Sequence, residues 1–248
     1  MVATAFKSRA EALSSPPTFF PSSVDLGPLL SLADGSFPVF FRNSLIVAGL
    51  TVAVTLPLAA TAGYAFARTR SRALTAVFVL ILVTQMFPLT VLLISIYVLI
   101  LGLGLLNTFA ALVIAYVALA LPFMIWFLRG FFLSIPIELE EAAIVDGSSR
   151  LGVIRHILVP LSMPGVLAAS IFAFVTAWDE YLLALTLANN DAVRTLPPGL
   201  VLSYVTQFSY NWPEMMAASL VATLPVIIAF VWLSGRLVGG LISGATKG

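Results

Sequence analysis

The sequence predicts an all-α protein, a polytopic bundle of about five transmembrane helices. Of its 248 residues 60% are hydrophobic and only 9% are charged, and the mean hydropathy is +1.09. Soluble domains carry about 25% charged residues, so a chain with this little charge is expected to lie in a membrane. A second observation is that five stretches are long and apolar, each near the roughly 20 residues that cross a bilayer as a helix.

Composition also excludes several classes of function. The formal net charge is +1, the chain has no cysteine, and His156 is its one histidine. These values argue against a basic nucleic-acid binder, against disulfides and thiolate chemistry, and against a zinc site built on a histidine pair. We therefore expect no catalytic residue, no metal ligand and no cofactor bound by this chain.

The five predicted spans follow one another between polar segments. They cover residues 44–67, 73–101, 107–128, 163–188 and 215–235. Pro57, Pro88, Pro122 and Pro225 lie inside four of them. Proline kinks a helix, so these positions are either ordinary packing kinks or bending points of a protein that opens and closes. Residues 1–43 are expected to form an irregular external segment, residues 44–243 the membrane domain, and residues 244–248 a short tail.

The distribution of basic residues predicts the orientation of the spans. If the loop after the first span is cytoplasmic, eight of the 12 lysines and arginines lie inside and four lie outside. Cytoplasmic loops carry the excess of basic residues. The C-terminus is therefore predicted to be cytoplasmic and the N-terminus external, in the plasma or inner membrane.

The loop between the third and fourth spans, residues 134–160, is the most informative stretch. Pro136 suits the first turn of a helix, and Glu138, Glu140 and Glu141 follow, where the positive end of a helix favours them. Asp146-Gly147 should end this helix, and a second amphipathic segment, residues 148–159, should end at Pro160. Leu139, Ala142, Ala143 and Asp146 are predicted to share one shallow face. Two short helices that meet at a glycine turn would offer a surface to another protein.

This loop resembles a known motif. Glu141-Ala142-Ala143, three residues, Gly147, nine residues and Ile157-Leu158-Val159-Pro160 resemble the EAA loop of binding-protein-dependent ABC importer permeases. The family pattern has leucine where this chain has Val159.

Other stretches resemble the carbohydrate branch of that family, the branch of the smaller maltose/trehalose-type permease. They are Phe6-Lys7-Ser8 with Pro16-Pro17-Thr18-Phe19-Phe20-Pro21, Asn43-Ser44-Leu45, Ala62-Gly63-Tyr64-Ala65-Phe66-Ala67-Arg68, Gln85-Met86-Phe87-Pro88, Ala177-Trp178-Asp179-Glu180 and the ending Gly240-Leu241-Ile242-Ser243-Gly244-Ala245-Thr246-Lys247-Gly248. Asp179 stands where asparagine is usual. Members usually have six spans, so we expect that this chain lacks the first of them.

The resemblance implies a type I ABC importer permease with a coupling helix, which imports a sugar or oligosaccharide. Its partners would be a dimer of ATPase subunits, a second permease subunit in a heterodimer, an external sugar-binding protein and membrane lipid. ATP would be used by the ATPase, because this chain has no Gly-x-x-x-x-Gly-Lys-Ser/Thr loop. The residues assigned to ATPase coupling are Glu138, Glu141, Ala142, Ala143, Asp146, Gly147, Ile157 and Pro160.

Two carboxylates are predicted to lie deep in the fourth span. Intramembrane carboxylates usually face a cavity or a partner, so Asp179 and Glu180, with Trp178 and Tyr181, are candidates for the translocation pathway. The alternative is a pair bonded to the partner permease or to backbone. Successive helical residues point about 100° apart, so the two carboxylates should not face one cavity equally.

Three other classes of protein remain as alternatives. A proton-coupled secondary transporter would use Asp179 and Glu180 as a relay, but it would leave the loop at residues 134–160 without a role. A membrane-embedded enzyme would need a catalytic frame, which the chain lacks. A purely structural membrane subunit is the third alternative.

Overall fold

The computed structural model of the chain describes residues 1–205 and 211–245, with side chains as far as residue 232. The helices that precede and form the first three spans are α1 (Val2–Ala5), α2 (Arg9–Ala12), α3 (Gly27–Asp34), α4 (Phe37–Arg68), α5 (Arg72–Val83), a 3-10 turn (Thr84–Met86), α6 (Leu89–Gly102) and α7 (Phe109–Ser134). The remaining helices are α8 (Glu138–Val145), α9 (Arg150–Val153), a π-helical turn (Ile154–Leu158), α10 (Val159–Trp178), α11 (Leu182–Leu187), α12 (Leu196–Tyr204) and α13 (Trp212–Ala245).

The predicted number of spans is confirmed. Among the described residues, four helices are long and apolar enough to cross a membrane: Phe37–Arg68, Phe109–Ser134, Arg150–Trp178 and Trp212–Trp232. A fifth span is formed if the pair Arg72–Met86 and Leu89–Gly102 is counted as one, although these helices are bent by 103° to each other. The chain is therefore the all-α membrane protein that its composition predicts.

The bend in the second predicted span is sharper than a kink. The residue before a proline avoids the helical region, and Phe87 has the extended angles φ −83° and ψ 127° just before Pro88. The helix therefore stops at Met86 and restarts at Leu89.

The prediction for the fourth span is wrong at both ends. The helix begins at Arg150 and ends at Trp178, so Asp179 and Glu180 lie beyond its end and not deep within it. The predicted helix end at Pro160 is also wrong. In the π-helical turn the Val159 N–H donates to the Ile154 carbonyl, and the helix continues without a break through Pro160 into α10.

The N-terminal segment has more structure than the irregular loop expected from its sequence. Helices α1 to α3 lie within it, and α4 begins at Phe37, ahead of the predicted boundary at residue 44. Glu11 accepts hydrogen bonds from the Ser22 N–H at 2.8 Å and from Thr18 Oγ1 at 3.1 Å. Of the predicted tail at residues 244–248, residues 246–248 lie outside the described part of the chain.

The chain divides into two compact units. The first unit comprises Met1–Gly49, Leu93–Ala115 and Ala177–Ala229, and the second comprises Leu50–Leu92, Tyr116–Thr176 and Phe230–Gly248. The core of the second unit is built from α4, α5, α7 and the helix of α9 and α10. Its buried members include Ala59, Phe78, Met124, Leu128, Phe132, Val153, Leu158 and Ala169.

Small residues bring two helices of the second unit close together. Ala59 on α4 is fully buried. A Cβ atom on Gly63 would lie 3.0 Å from the Arg129 amide nitrogen and 3.3 Å from the Ile125 carbonyl oxygen on α7. The backbones of α4 and α7 therefore approach directly at Gly63, and a larger residue there would push them apart.

Candidate functional site

The loop between α7 and α9 holds the first candidate site, and its central element is α8. Glu138, Glu140 and Glu141 occupy the first turn of this helix, where carboxylates interact favourably with the unpaired N–H groups of the helix N-terminus. A helix of this size is marginal in water by itself. Tertiary contacts must therefore hold it in place.

Gly147 ends α8 in a Schellman motif. The Gly147 N–H donates to the Ile144 carbonyl at 3.0 Å, and the Ser148 N–H donates to the Ala143 carbonyl at 2.9 Å. This arrangement places the residue after the C-cap in the left-handed region, and Gly147 has φ +89°. The Asp146-Gly147 pair in the sequence therefore has a direct structural cause.

The next helix begins two residues after this turn. Ser149 is the N-cap of α9, and its Oγ accepts a hydrogen bond from the Gly152 N–H at 3.1 Å. N-cap serines satisfy one of the free N–H groups of the first turn. The two helices are therefore fixed on both sides of Gly147.

Glu140 anchors α8 to the end of α4. Its Oε1 lies 2.6 Å from both Nε and the terminal nitrogen Nη2 of Arg68, and its Oε2 accepts a hydrogen bond from the Tyr64 hydroxyl at 2.7 Å. Arg68 also donates to the Ile135 carbonyl at 3.1 Å. The Arg68 and Glu140 side chains are 14% and 9% exposed, so this is a largely buried, hydrogen-bonded ion pair.

The other sides of α8 face away from the unit. We call them the α8 surface; its exposed residues are Glu138, Leu139, Glu141, Ala142, Ile144 and Val145. Val145 is 86% exposed and Ile144 is 51% exposed. Within the described residues, Glu141 has no hydrogen bond or ion pair through its side chain.

The predicted coupling residues do not all lie on the exposed surface of the loop. Asp146, Gly147 and Pro160 are exposed, like the α8 surface, but Ala143 and Ile157 are partly buried against the core of the second unit. The predicted common face of α8 is therefore wrong at Ala143, which packs inward while Leu139, Ala142 and Asp146 face outward.

The second candidate site is a cavity of about 340 Å³ in the first unit. Its lining residues come from the end of α10, from α12 and from α13: Trp178, Asp179, Leu196, Pro197, Leu200, Ser219, Ala222, Thr223 and Val226. Trp178 is 3% exposed, its Nε1 donates to the Ala222 carbonyl at 3.2 Å, and its ring lies edge-on to Phe41 at 5.6 Å. Trp178 is thus a fixed wall of the cavity.

The two neighbouring carboxylates have different environments. Asp179 is exposed and lines the cavity. Glu180 instead accepts hydrogen bonds from the Leu183 and Ala184 N–H groups at 2.8 and 2.9 Å, so it caps the N-terminus of α11. Glu180 and Tyr181 are absent from the residues that line this cavity.

The polar groups of the cavity are arranged as acceptors. The Ser219 hydroxyl donates to the Met215 carbonyl and the Thr223 hydroxyl donates to the Ser219 carbonyl, both at 2.8 Å. Since each hydroxyl proton is used within α13, the oxygen lone pairs remain for an incoming donor. With Asp179 they form a set that suits a ligand rich in hydroxyl groups.

Sequence reasoning did not assign a site role to Tyr64, Arg68 or Glu140. In the sequence, Tyr64 and Arg68 belong only to a stretch that resembles the carbohydrate branch, and Glu140 is only one of three glutamates that start a helix. One signal in the sequence could have indicated the pair. Glu140 lies next to the Glu141-Ala142-Ala143 motif and on the inward side of α8, where a buried carboxylate needs a cation. Ser219 and Thr223 were missed because serine and threonine in a span usually bond to their own helix.

Both the sequence and the fold of the chain match known proteins. The profile of a family described as binding-protein-dependent transport system inner membrane component matches residues 55–242.

Three relatives show extended identity. The sulfoquinovosyl glycerol transport system permease protein SmoH of Agrobacterium fabrum is 40% identical over 246 residues, which cover 99% of this chain and 86% of SmoH. The diacetylchitobiose uptake system permease protein DasC of Streptomyces coelicolor is 37% identical, with 100% of this chain and 90% of DasC covered. The trehalose/maltose transport system permease protein MalG of Thermococcus litoralis is 32% identical, with the same coverage of 100% and 90%.

A solved structure shares the fold. It is the crystal structure of a bacterial ABC transporter involved in the import of the acidic polysaccharide alginate. The TM-score is 0.80 at 19% identity, with 94% of this chain and 87% of that chain covered.

Proposed function

The chain belongs to the family of binding-protein-dependent transport system inner membrane components, and we propose that it moves a sugar or oligosaccharide into the cytoplasm while a separate ATPase supplies the energy. It is a multi-pass membrane permease of an ABC importer. In this proposal the α8 loop and the C-terminus lie in the cytoplasm.

The observation that carries this proposal is the α8 surface. Leu139, Ile144 and Val145 are 44%, 51% and 86% exposed on a helix that follows a membrane span and begins with three glutamates. Exposed apolar patches with a polar rim mark protein–protein contacts. A water-soluble ATPase subunit is the partner that this surface fits, with Glu141 free to meet a basic group on it.

Glu140 would transmit a displacement of α8 at this contact to α4. Because Arg68 is the last residue of α4, a displacement of α8 pulls on α4 through the Glu140–Arg68 pair and the Tyr64 hydroxyl. A largely buried ion pair is hard to break without replacement partners. We infer that α8 and the end of α4 move together when the ATPase closes or opens.

The substrate class is supported by the relatives and by the Trp178 cavity. The names of SmoH, DasC and MalG specify sulfoquinovosyl glycerol, diacetylchitobiose and trehalose/maltose. The acceptor groups of Asp179, Ser219 and Thr223 suit the hydroxyl donors of such compounds, and the apolar walls suit the C–H faces of a sugar ring. Asp179 and Trp178 are therefore our candidates for the translocation pathway.

The assembly that we propose has further subunits. Two permease chains would form the pathway, two ATPase chains would bind the α8 loops, and an external binding protein would deliver the sugar. ATP would bind to the ATPase chains.

Site-directed crosslinking tests the proposed docking surface. The chain has no cysteine, so Val145→Cys supplies one attachment point for a photo-crosslinker on the α8 surface. Phe19→Cys is the matched control, because Phe19 is 89% exposed and lies in the N-terminal segment. We expect an ATP-binding chain and a second permease to co-purify with the chain, and Val145→Cys but not Phe19→Cys to capture the ATP-binding chain. Equal capture by the two variants, or recovery of this chain alone, would overturn the assignment.

A further inference from the structure

A second polar cavity lies beside the α8 loop in the second unit. Its volume is about 520 Å³, and it is lined by residues at the end of α4, the start of α5, the end of α7 and the start of α8: Phe66, Ala67, Arg68, Thr69, Arg70, Thr75, Arg129, Leu133, Ile135, Pro136, Ile137 and Glu138. Of the three arginines among these residues, only Arg68 takes part in the docking of α8. The remaining cations have no role in the proposed function.

Arg129 is held in place without a counterion. Its Nε donates to the Phe66 carbonyl at 3.3 Å, and its guanidinium carbon lies 4.7 Å from the centre of the Phe78 ring. Arg129 is half-buried, and no carboxylate lies within 4.0 Å of it or of Arg70 in the described part of the chain. A partly desolvated cation of this kind favours a bound anion.

The charges of the cavity leave a small positive balance. Glu140 offsets Arg68, and Glu138 opposes one of the two remaining arginines, Arg70 and Arg129. One positive charge therefore remains. A singly charged phosphodiester matches it, and two guanidinium groups are well suited to hold phosphate oxygens.

The start of α5 adds donors at the same place. Ser71 is the N-cap of α5, but its side chain makes no capping hydrogen bond. The N–H groups of the first turn are therefore free for another acceptor, and a helix N-terminus favours an anion. Thr69, Arg70 and Thr75 line the cavity on both sides of this N-cap.

The position of α5 identifies the kind of anion. Immediately after its first turn the helix exposes apolar side chains, with Val77, Val79 and Leu80 at 46%, 51% and 66%. A free phosphate ion would leave this apolar face uncovered, whereas lipid chains would cover it while the arginines reach the headgroup.

We propose that this cavity binds the phosphodiester headgroup of an anionic phospholipid in the cytoplasmic leaflet, with Arg70 and Arg129 as the phosphate ligands. The proposal goes beyond the transport function and takes from it only the orientation. A bound lipid would brace the junction of α4 and α5 next to the Glu140–Arg68 anchor.

Lipid binding to the purified full chain in detergent tests the proposal, with no ATP or ATPase present, so that the result is independent of the proposed function. Native mass spectrometry would follow titrations with phosphatidylglycerol, phosphatidylcholine and inorganic phosphate. We expect phosphatidylglycerol to bind in preference to phosphatidylcholine. Arg70→Gln and Arg129→Gln should each weaken it about fivefold, and Arg155→Gln, an exposed arginine outside the cavity, should leave it unchanged.

Three outcomes would overturn the proposal. The first is phosphatidylglycerol binding that is equal in wild type, Arg70→Gln and Arg129→Gln. The second is displacement of the lipid by an equal concentration of inorganic phosphate, which would make free phosphate the ligand. The third, which needs a separate co-purification with the ATPase, is unchanged lipid binding together with loss of ATPase assembly in these variants, which would assign the cavity to a protein partner. Arg70 is exposed, so Arg70→Gln remains informative even if Arg129→Gln fails to fold.

Discussion

The Glu140 carboxylate and the Arg68 guanidinium, 72 residues apart in the chain, meet at 2.6 Å. One group belongs to the short helix α8 and the other ends the long helix α4. This pair is the polar connection between the loop that we assign to the ATPase and a membrane span. We therefore expect an intact Glu140–Arg68 pair to transmit a displacement of α8 to α4, and a broken pair not to do so.

Replacement of Glu140 with alanine should destabilise the fold and weaken the coupling of ATP hydrolysis to transport. The change leaves Arg68 largely buried without a counterion, which destabilises by about 3 kcal/mol, and it removes the acceptor of the Tyr64 hydroxyl. We expect a melting temperature several degrees lower and ATP-driven uptake that falls more than ATP hydrolysis does. Glu141→Ala is the control on the same helix. Because Glu141 is exposed, its melting temperature should equal that of wild type, and equal melting temperatures for all three proteins would contradict the account.

Two replacements of Gly147 separate the effect of backbone strain from the effect of side-chain size. Any other residue at φ +89° is strained by about 1–2 kcal/mol, while a Cβ there would meet no atom within 4 Å in this chain. Gly147→Ala and Gly147→Leu should therefore lower the melting temperature equally. Only leucine should obstruct a docked ATPase, so we expect transport to fall about tenfold further in Gly147→Leu. Equal transport by the two variants would show that no partner lies over Gly147.

The coupling loop could be predicted because its determinants are local. A proline and three glutamates start α8, and Asp146-Gly147 forces its end through a single left-handed residue. The Glu140–Arg68 contact could not be predicted in this way. It depends on how α4 and α7 pack at Gly63, and the spacing of residues within one helix carries no information about a residue 72 positions away.

The helix ends near Pro160 and Trp178 were mispredicted for a related reason. A proline is typical of a helix boundary, but here the helix continues from the π-helical turn through Pro160 into α10. Between residues 163 and 188 the sequence has no glycine or proline near Trp178, so apolar character alone indicated a continuous span. The break becomes understandable once Glu180 is seen to cap α11.

Replacement of Asp179 tests the pathway assignment. Asp179→Asn keeps one acceptor oxygen and nearly the same size, whereas Asp179→Leu removes the acceptors from the cavity. We expect about a tenfold loss of sugar uptake in Asp179→Leu and a smaller loss in Asp179→Asn, measured with labelled sugar in membrane vesicles. Glu180→Gln is the control, because Glu180 caps α11 and does not line the cavity. Equally complete loss in both Asp179 variants would instead indicate a need for the negative charge, as in a proton-coupled transporter.

Low pH should weaken the hydrogen bonds that Glu11 accepts from Ser22 and Thr18 in the N-terminal segment. Hydrogen bonds from the Ser22 backbone and side chain and from Thr18, with the positive charge of Lys7, hold the pKa of Glu11 below its ordinary value of 4.5. A lowered folded-state pKa means that this contribution to stability is present above pH 4.5 and is lost as the pH falls through the lower value. Hydrogen exchange at the Ser22 amide should therefore accelerate, beyond the intrinsic pH effect, only at such acidic pH. In Glu11→Gln the protection of Ser22 should not depend on pH in this range, and an identical pH profile in wild type would refute the role of Glu11.

The central claim, that a separate ATPase drives this permease through the α8 surface, is tested most directly by uptake into proteoliposomes that contain the chain with its co-purified subunits and an external binding protein. The account predicts sugar uptake with ATP on the α8 side and none with a proton gradient alone, and it predicts that Gly147→Leu lowers this uptake about tenfold below that of Gly147→Ala. Uptake driven by the proton gradient without ATP would contradict it.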